Sequence, residues 1–140
     1  MHRRPRTILS GVKSDSHTWN LVYLELVLRE RGHDVVNLGP CVPVSLLVDE
    51  AVAVRPDLVV FSTVNGHGLC DGMEAIQALR ARPTLTEVPV VIGGKLDVAG
   101  TTGSALSAPL LAAGFTAVFN DDQTLDAFHA FLDTVCVKRD

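Results

Sequence analysis

Five short β-rich runs alternate with five helical patterns along 140 residues, and the middle run, LVVFS at 58–62, is apolar without alternation. Together these features predict an α/β domain with an open parallel sheet, buried on both faces by helices on right-handed crossovers. At this length the usual solution is the flavodoxin-like (Rossmann-like), doubly wound five-stranded sheet with strand order 2-1-3-4-5. A content of 47% hydrophobic and 20% charged residues suits one globular domain with a real core, expected over 1–140. Residues 1–6, which carry Arg3, Arg4 and Arg6, are expected as a short disordered basic tail.

Residues 7–12 are β-rich and lead into a polar turn, and so predict the first strand. A helix is expected over 18–31. Its apolar residues Trp19, Leu21, Val22, Leu24, Leu26, Val27 and Leu28 cover more than one stripe, which predicts packing on two sides, and Gly32 stands at the C-cap. Residues 34–38 predict the second strand. Gly39-Pro40-Cys41-Val42-Pro43 then breaks the chain before a helix over 44–54, which Pro56 and Asp57 end. The central strand over 58–62 leads to a loop containing Asn65, Gly66, His67 and Gly68. Asp71 is expected to cap a helix reaching residue 82, and 88–92 a fourth strand that ends at Gly93-Gly94. A Gly/Thr-rich loop precedes a small-residue helix over 105–113, closed by Gly114. A fifth strand over 117–119 follows, and Asp121 or Asp122 caps a last helix over 124–135.

A net charge of −4 without clustered Lys and Arg argues against a nucleic-acid partner. No apolar run reaches the length of a membrane span and no signal-peptide core is present, so the expectation is a cytoplasmic protein with no membrane partner. Cys41, Cys70 and Cys136 are odd in number, far apart and without a CxxC pair, which predicts reduced thiols.

In the order 2-1-3-4-5 the first, third and fourth strands are neighbours, so the segments 14–20, 62–68 and 93–103 are expected to meet at the switch point. In the first, Asp15 stands two residues before His17, and in an extended turn both side chains leave on one face. The carboxylate can then hold one ring N–H and leave the other nitrogen for a proton or a metal; helix capping by Asp15, Ser16 or Thr18 is the alternative. Ser62 ends a buried strand, either as an ordinary strand-end serine or facing a polar ligand atom. Gly93 and Gly94 allow either a turn or close approach of a large flat ligand. His67 can serve the same edge or sit in solvent, and His33 and His129 are expected as surface or packing residues.

Other tenants of such a fold fit less well. A phospho-receiver needs an aspartate after the third strand and a lysine near the fifth, where Ser62-Thr63 and Asn120 stand. A flavin mononucleotide site half fits Ser14, Ser16 and Thr18, but Asp15 would repel the phosphate. A dinucleotide site needs G-x-G-x-x-G after the first strand, and Gly11 alone is not that.

Asp15-Ser16-His17-Thr18-Trp19-Asn20, then Ser62-Thr63-Val64, then Gly93-Gly94 resemble, in order and spacing, the cobalamin-binding domain family with its D-x-H-x-x-G, S-x-L and Gly-Gly motifs. Within it the chain resembles most the small subunit of glutamate mutase, through its length, through VNLG at 36–39 and through Ser62, Val64, Gly66 and Gly68 of an S-x-V-x-G-x-G stretch. The resemblance implies adenosylcobalamin as cofactor, with its own base displaced and His17 as the axial ligand to cobalt. Asp15 would hold the imidazole and Ser62 would bond the displaced base. Ser14, Ser16, Thr18, Asn20, Thr63, Val64, Gly66, Gly93, Gly94, Lys95, Leu96, Asp97 and Val98 would line the remaining site. No catalytic residue is expected on this chain alone.

Two departures stand out. Asn20 replaces the motif glycine near the nucleotide tail, and Val64 replaces leucine. The implied function is the cobalamin-carrying small subunit of a carbon-skeleton isomerase, of the radical type that converts glutamate to 3-methylaspartate. It would be inactive without a separate catalytic barrel subunit, a heterotetramer being one such assembly. A corrinoid methyl carrier and a non-catalytic binding module that has lost the cofactor are the alternatives.

Overall fold

The computed structural model describes residues 4–11, 19–63, 68–94, 104–120 and 125–134. Its elements are β1 (Arg6–Gly11), α1 (Trp19–Glu30), β2 (Asp34–Gly39), α2 (Val44–Val54), β3 (Leu58–Thr63), α3 (Gly68–Arg80), β4 (Val90–Gly94), α4 (Ser104–Ala113), β5 (Ala117–Asn120) and α5 (Leu125–Leu132). A short 3-10 turn, Pro83–Leu85, links α3 to β4. All strand pairs are parallel and the order is β2-β1-β3-β4-β5, as the alternation predicts.

Period-two alternation divides the strands between two cores. Ile8, Val59, Phe61, Val90, Ile92 and Val118 pack with Leu47, Ala51, Ile76, Leu79 and Leu110 from α2, α3 and α4. Leu9, Leu58, Val60 and Val91 pack on the other face with Leu21, Val27 and Leu28 of α1 and Phe128 and Leu132 of α5. Helix α3 approaches β4 closely, because a Cβ at Gly72 would come within 2.9 Å of the Ile92 Cδ1.

Several boundaries differ from the sequence reading. β1 takes in Arg6, which pairs with Asp34, while the Pro5 carbonyl accepts the Asp34 N–H, so part of the expected tail is in the fold. β4 runs through both glycines, because the ladder pairs Ser62 with Gly93 and Thr63 with Gly94. α3 starts at Gly68, which puts Asp71 in its first turn, buried, instead of at the cap. Among the described residues the expected packing of α1 on two sides is not met. The sheet covers only the stripe through Leu21, Leu24, Val27 and Leu28, and leaves Val22, Tyr23 and Leu26 exposed at 47, 51 and 57%.

Candidate cofactor site

The carboxyl ends of β1, β3 and β4 lie side by side, so the loops after them leave from one edge of the sheet. The last paired rows can be followed across the strands. Leu9, Val60, Val91 and Ala117 form one row, every member carrying an apolar side chain toward α1 and α5. Two residues farther along on the same face comes the row Gly11, Ser62, Gly93 and Phe119. Across three adjacent strands this row carries no side chain larger than a hydroxymethyl group. Ser62 is 7% exposed, so its hydroxyl faces the space between sheet and helices and not bulk water.

Gly93 answers a second constraint. A Cβ there would lie 3.1 Å from the Phe119 carbonyl oxygen and 3.4 Å from the Phe119 Cβ, tighter than ordinary contact. Any side chain at 93 would both fill the row and press on β5. Phe119 itself is partly buried. Its ring meets Phe128 edge-on at a centroid separation of 5.6 Å and Phe131 at 6.0 Å.

Of the residues expected at the site, Ser62 and Gly93 are register partners, with Thr63 and Gly94 paired one step on. Asn20 is the second residue of α1. Ser14, Asp15, Ser16, His17, Thr18, Val64, Gly66, His67, Lys95, Leu96, Asp97 and Val98 lie outside the described residues, as does Cys136. Two contributors to the row were not expected as site residues: Gly11, which as a strand-end glycine is a signal readable in sequence, and Phe119, which nothing in the run AVFN marks.

The histidines set aside in the sequence belong elsewhere. His33 is buried at the opposite edge of the sheet, its Nδ1 2.7 Å from the Thr7 Oγ1. Burial holds its pKa below the ordinary imidazole value, aided by the Arg31 charge and opposed by Asp57. His129 on α5 lies beside the Arg31 guanidinium, which also pairs with Asp133. Cys41 and Cys70 are exposed free thiols. Among the described residues no helix is long and apolar enough to cross a membrane.

A corrinoid with its base displaced carries a nucleotide tail that needs a slot free of side chains between sheet and helices. The Gly11-Ser62-Gly93 row carries no bulk on that face and one hydroxyl, so the chemistry of the described residues fits that group.

The family called B12 binding domain matches residues 5–103. The glutamate mutase sigma subunit of Halobacterium salinarum is 29% identical over 136 residues, covering 97% of this chain and 88% of that one. The HTH-type transcriptional repressor CarA of Myxococcus xanthus is 34% identical over 91 residues, 64% of this chain, which spans only 31% of the repressor's length. Among solved structures, a cobalamin-binding protein from Desulfitobacterium hafniense superposes with a TM-score of 0.69 at 25% identity. That match covers 82% of this chain and 52% of that protein. With its sheet order, its small-residue row and a family match over most of its length, the chain belongs to the B12-binding domain family.

Proposed function

We propose that this chain is the cobalamin-carrying small subunit of an adenosylcobalamin-dependent carbon-skeleton mutase, of the glutamate to 3-methylaspartate type, working with a separate catalytic subunit in the cytoplasm. The observation that carries this reading is the extent of the likeness to the Halobacterium salinarum sigma subunit, which takes in nearly the whole of both chains. The likeness to the repressor is confined to a part of each.

In this reading His17 would supply a ring nitrogen to cobalt, and the Asp15 carboxylate would accept a hydrogen bond from the N–H of the other ring nitrogen, fixing the tautomer and raising the basicity of the ligand. Ser62 donates its hydroxyl hydrogen to the displaced base, and Gly11 and Gly93 keep the tail's path clear. When bound, the cofactor supplies a cobalt–carbon bond that breaks homolytically. This chain's part is to hold and orient it, while substrate binding and exclusion of water belong to the partner.

The test is the electron paramagnetic resonance spectrum of the cob(II)alamin-loaded protein, made with and without nitrogen-15 histidine. A superhyperfine pattern that changes with the label, and no longer does so in His17→Ala, is expected. Asp15→Ala should keep the pattern and weaken uptake about tenfold to a hundredfold. A spectrum indifferent to the label removes His17 from cobalt and the mutase reading with it.

A regulatory binding module is the second reading, favoured by the 34% identity to the repressor. Mixing the loaded chain with a glutamate mutase catalytic subunit separates the two. Formation of 3-methylaspartate supports the mutase reading, and stable loading without turnover favours the module.

A further inference from the structure

We propose that Phe119 is the specificity-determining residue of this site, selecting corrinoids that carry an aromatic lower base over those that lack one. The inference rests on the corrinoid reading above and names what sets the site's preference within it.

The row on the α1/α5 face is bare at Gly11 and Gly93 and carries a hydroxymethyl at Ser62, then ends abruptly at Phe119 on β5. The end is sharp because β4 and β5 run tightly together at that point. A Cβ built on Gly93 would lie 3.4 Å from the Phe119 Cβ, so a group lying over Gly93 has the Phe119 side chain as its immediate neighbour. That ring is already positioned. Phe128 and Phe131 of α5 both meet it edge-on, with interplanar angles of 81° and 68°, yet it remains only partly buried.

An aromatic ring locked by two others pays its ordering cost on folding, not on binding. It offers a flat, polarised surface that a second flat aromatic group can meet offset or edge-on. The Ser62 hydroxyl stands two strands away in the same row, so the cradle presents a polar atom on one side and an aromatic wall on the other. A benzimidazole-type base, flat, apolar at its edge and with a polar ring nitrogen, matches both. A sugar-phosphate without a base matches neither.

The experiment is a titration of the full chain with cobalamin and with cobinamide, which has the same ring but no nucleotide tail, followed by visible absorption. The wild-type protein should bind cobalamin at least tenfold more tightly. Phe119→Leu, which keeps apolar bulk but not the ring, should weaken cobalamin binding roughly two- to tenfold and leave cobinamide binding unchanged.

Equal weakening of both ligands, or of neither, overturns the proposal. So does a wild-type protein that binds the two alike, a result that needs no variant to fold. A wild-type protein that binds no corrinoid sinks the functional reading and this one together. Tight cobalamin binding that ignores residue 119 sinks this one alone.

Discussion

The two edges of the sheet are built on opposite plans. At the amino edge the strand entries are tied by hydrogen bonds. Asp57 Oδ2 accepts the Arg6 N–H, the Arg6 carbonyl accepts the Asp57 N–H, the Pro89 carbonyl accepts the Val59 N–H, and Thr116 exchanges two bonds with Val90. Below the sheet Arg80 gives its guanidinium hydrogens to the carbonyls of Leu85, Val88 and Gly114, which fastens α3 to the turns before β4 and β5. At the carboxyl edge β1, β3 and β4 place Gly11, Ser62 and Gly93 in one row, where no side chain is larger than a hydroxymethyl group. Polar groups at one edge hold the fold, and the lack of bulk at the other leaves room, on the proposed reading, for the cofactor. Stability and binding can therefore be damaged separately.

The sharpest test of that separation is Gly93→Val. Its side chain would fill the cradle and crowd the Phe119 carbonyl oxygen, so corrinoid uptake should be lost altogether in a titration. Thermal stability should fall by only about 1–3 kcal/mol, the usual cost of overpacking. Full retention of binding would show that the bare row is a packing feature of β5 and nothing more.

Arg80→Ala should give the reverse. Three carbonyl partners lose their donor, and a chemical denaturation curve should register a loss of about 3 kcal/mol, while the remaining folded protein binds corrinoid with unchanged affinity. A binding defect as large as the stability defect would mean that the two edges are coupled.

The smallest effect is expected from acid. Burial depresses the folded-state pKa of His33, so below the unfolded value of about 6.5 the unfolded chain takes up the proton first. The contribution of this histidine is present above that pH and lost as pH falls through the folded pKa. Thr7→Val leaves the His33 Nδ1 without its hydroxyl partner and should lower stability by about 1–2 kcal/mol at neutral pH. If melting temperatures between pH 5 and 7.5 are flat in the wild type, His33 does not report on the amino edge.

Strand number, direction and order were legible in the sequence, because the unbroken apolar run at 58–62 and the regular alternation leave few topologies. The pairing of Ser62 with Gly93 was not. A glycine pair reads locally as the end of a strand, and only the neighbouring strand's register shows the ladder passing through it. The same is true of Arg80, whose acceptors lie 5, 8 and 34 residues away, and of Phe119, whose importance comes from what β4 lacks beside it. Exposure of Val22, Tyr23 and Leu26 was hidden for a related reason: a helix with two apolar stripes looks fully packed until the number of surfaces available to it is known. The roles proposed for Asp15 and His17 rest on motif resemblance, since spacing alone favoured a capping turn.

The central place of β1 bears on how the chain is made. Because β1 pairs with both β2 and β3, a three-stranded β2-β1-β3 unit is complete once residue 63 has been synthesised. One margin of that unit is β3, whose LVVFS stretch is apolar and has no charge or proline to discourage a foreign strand. Until β4 arrives some thirty residues later, this margin is the nascent chain's most aggregation-prone surface.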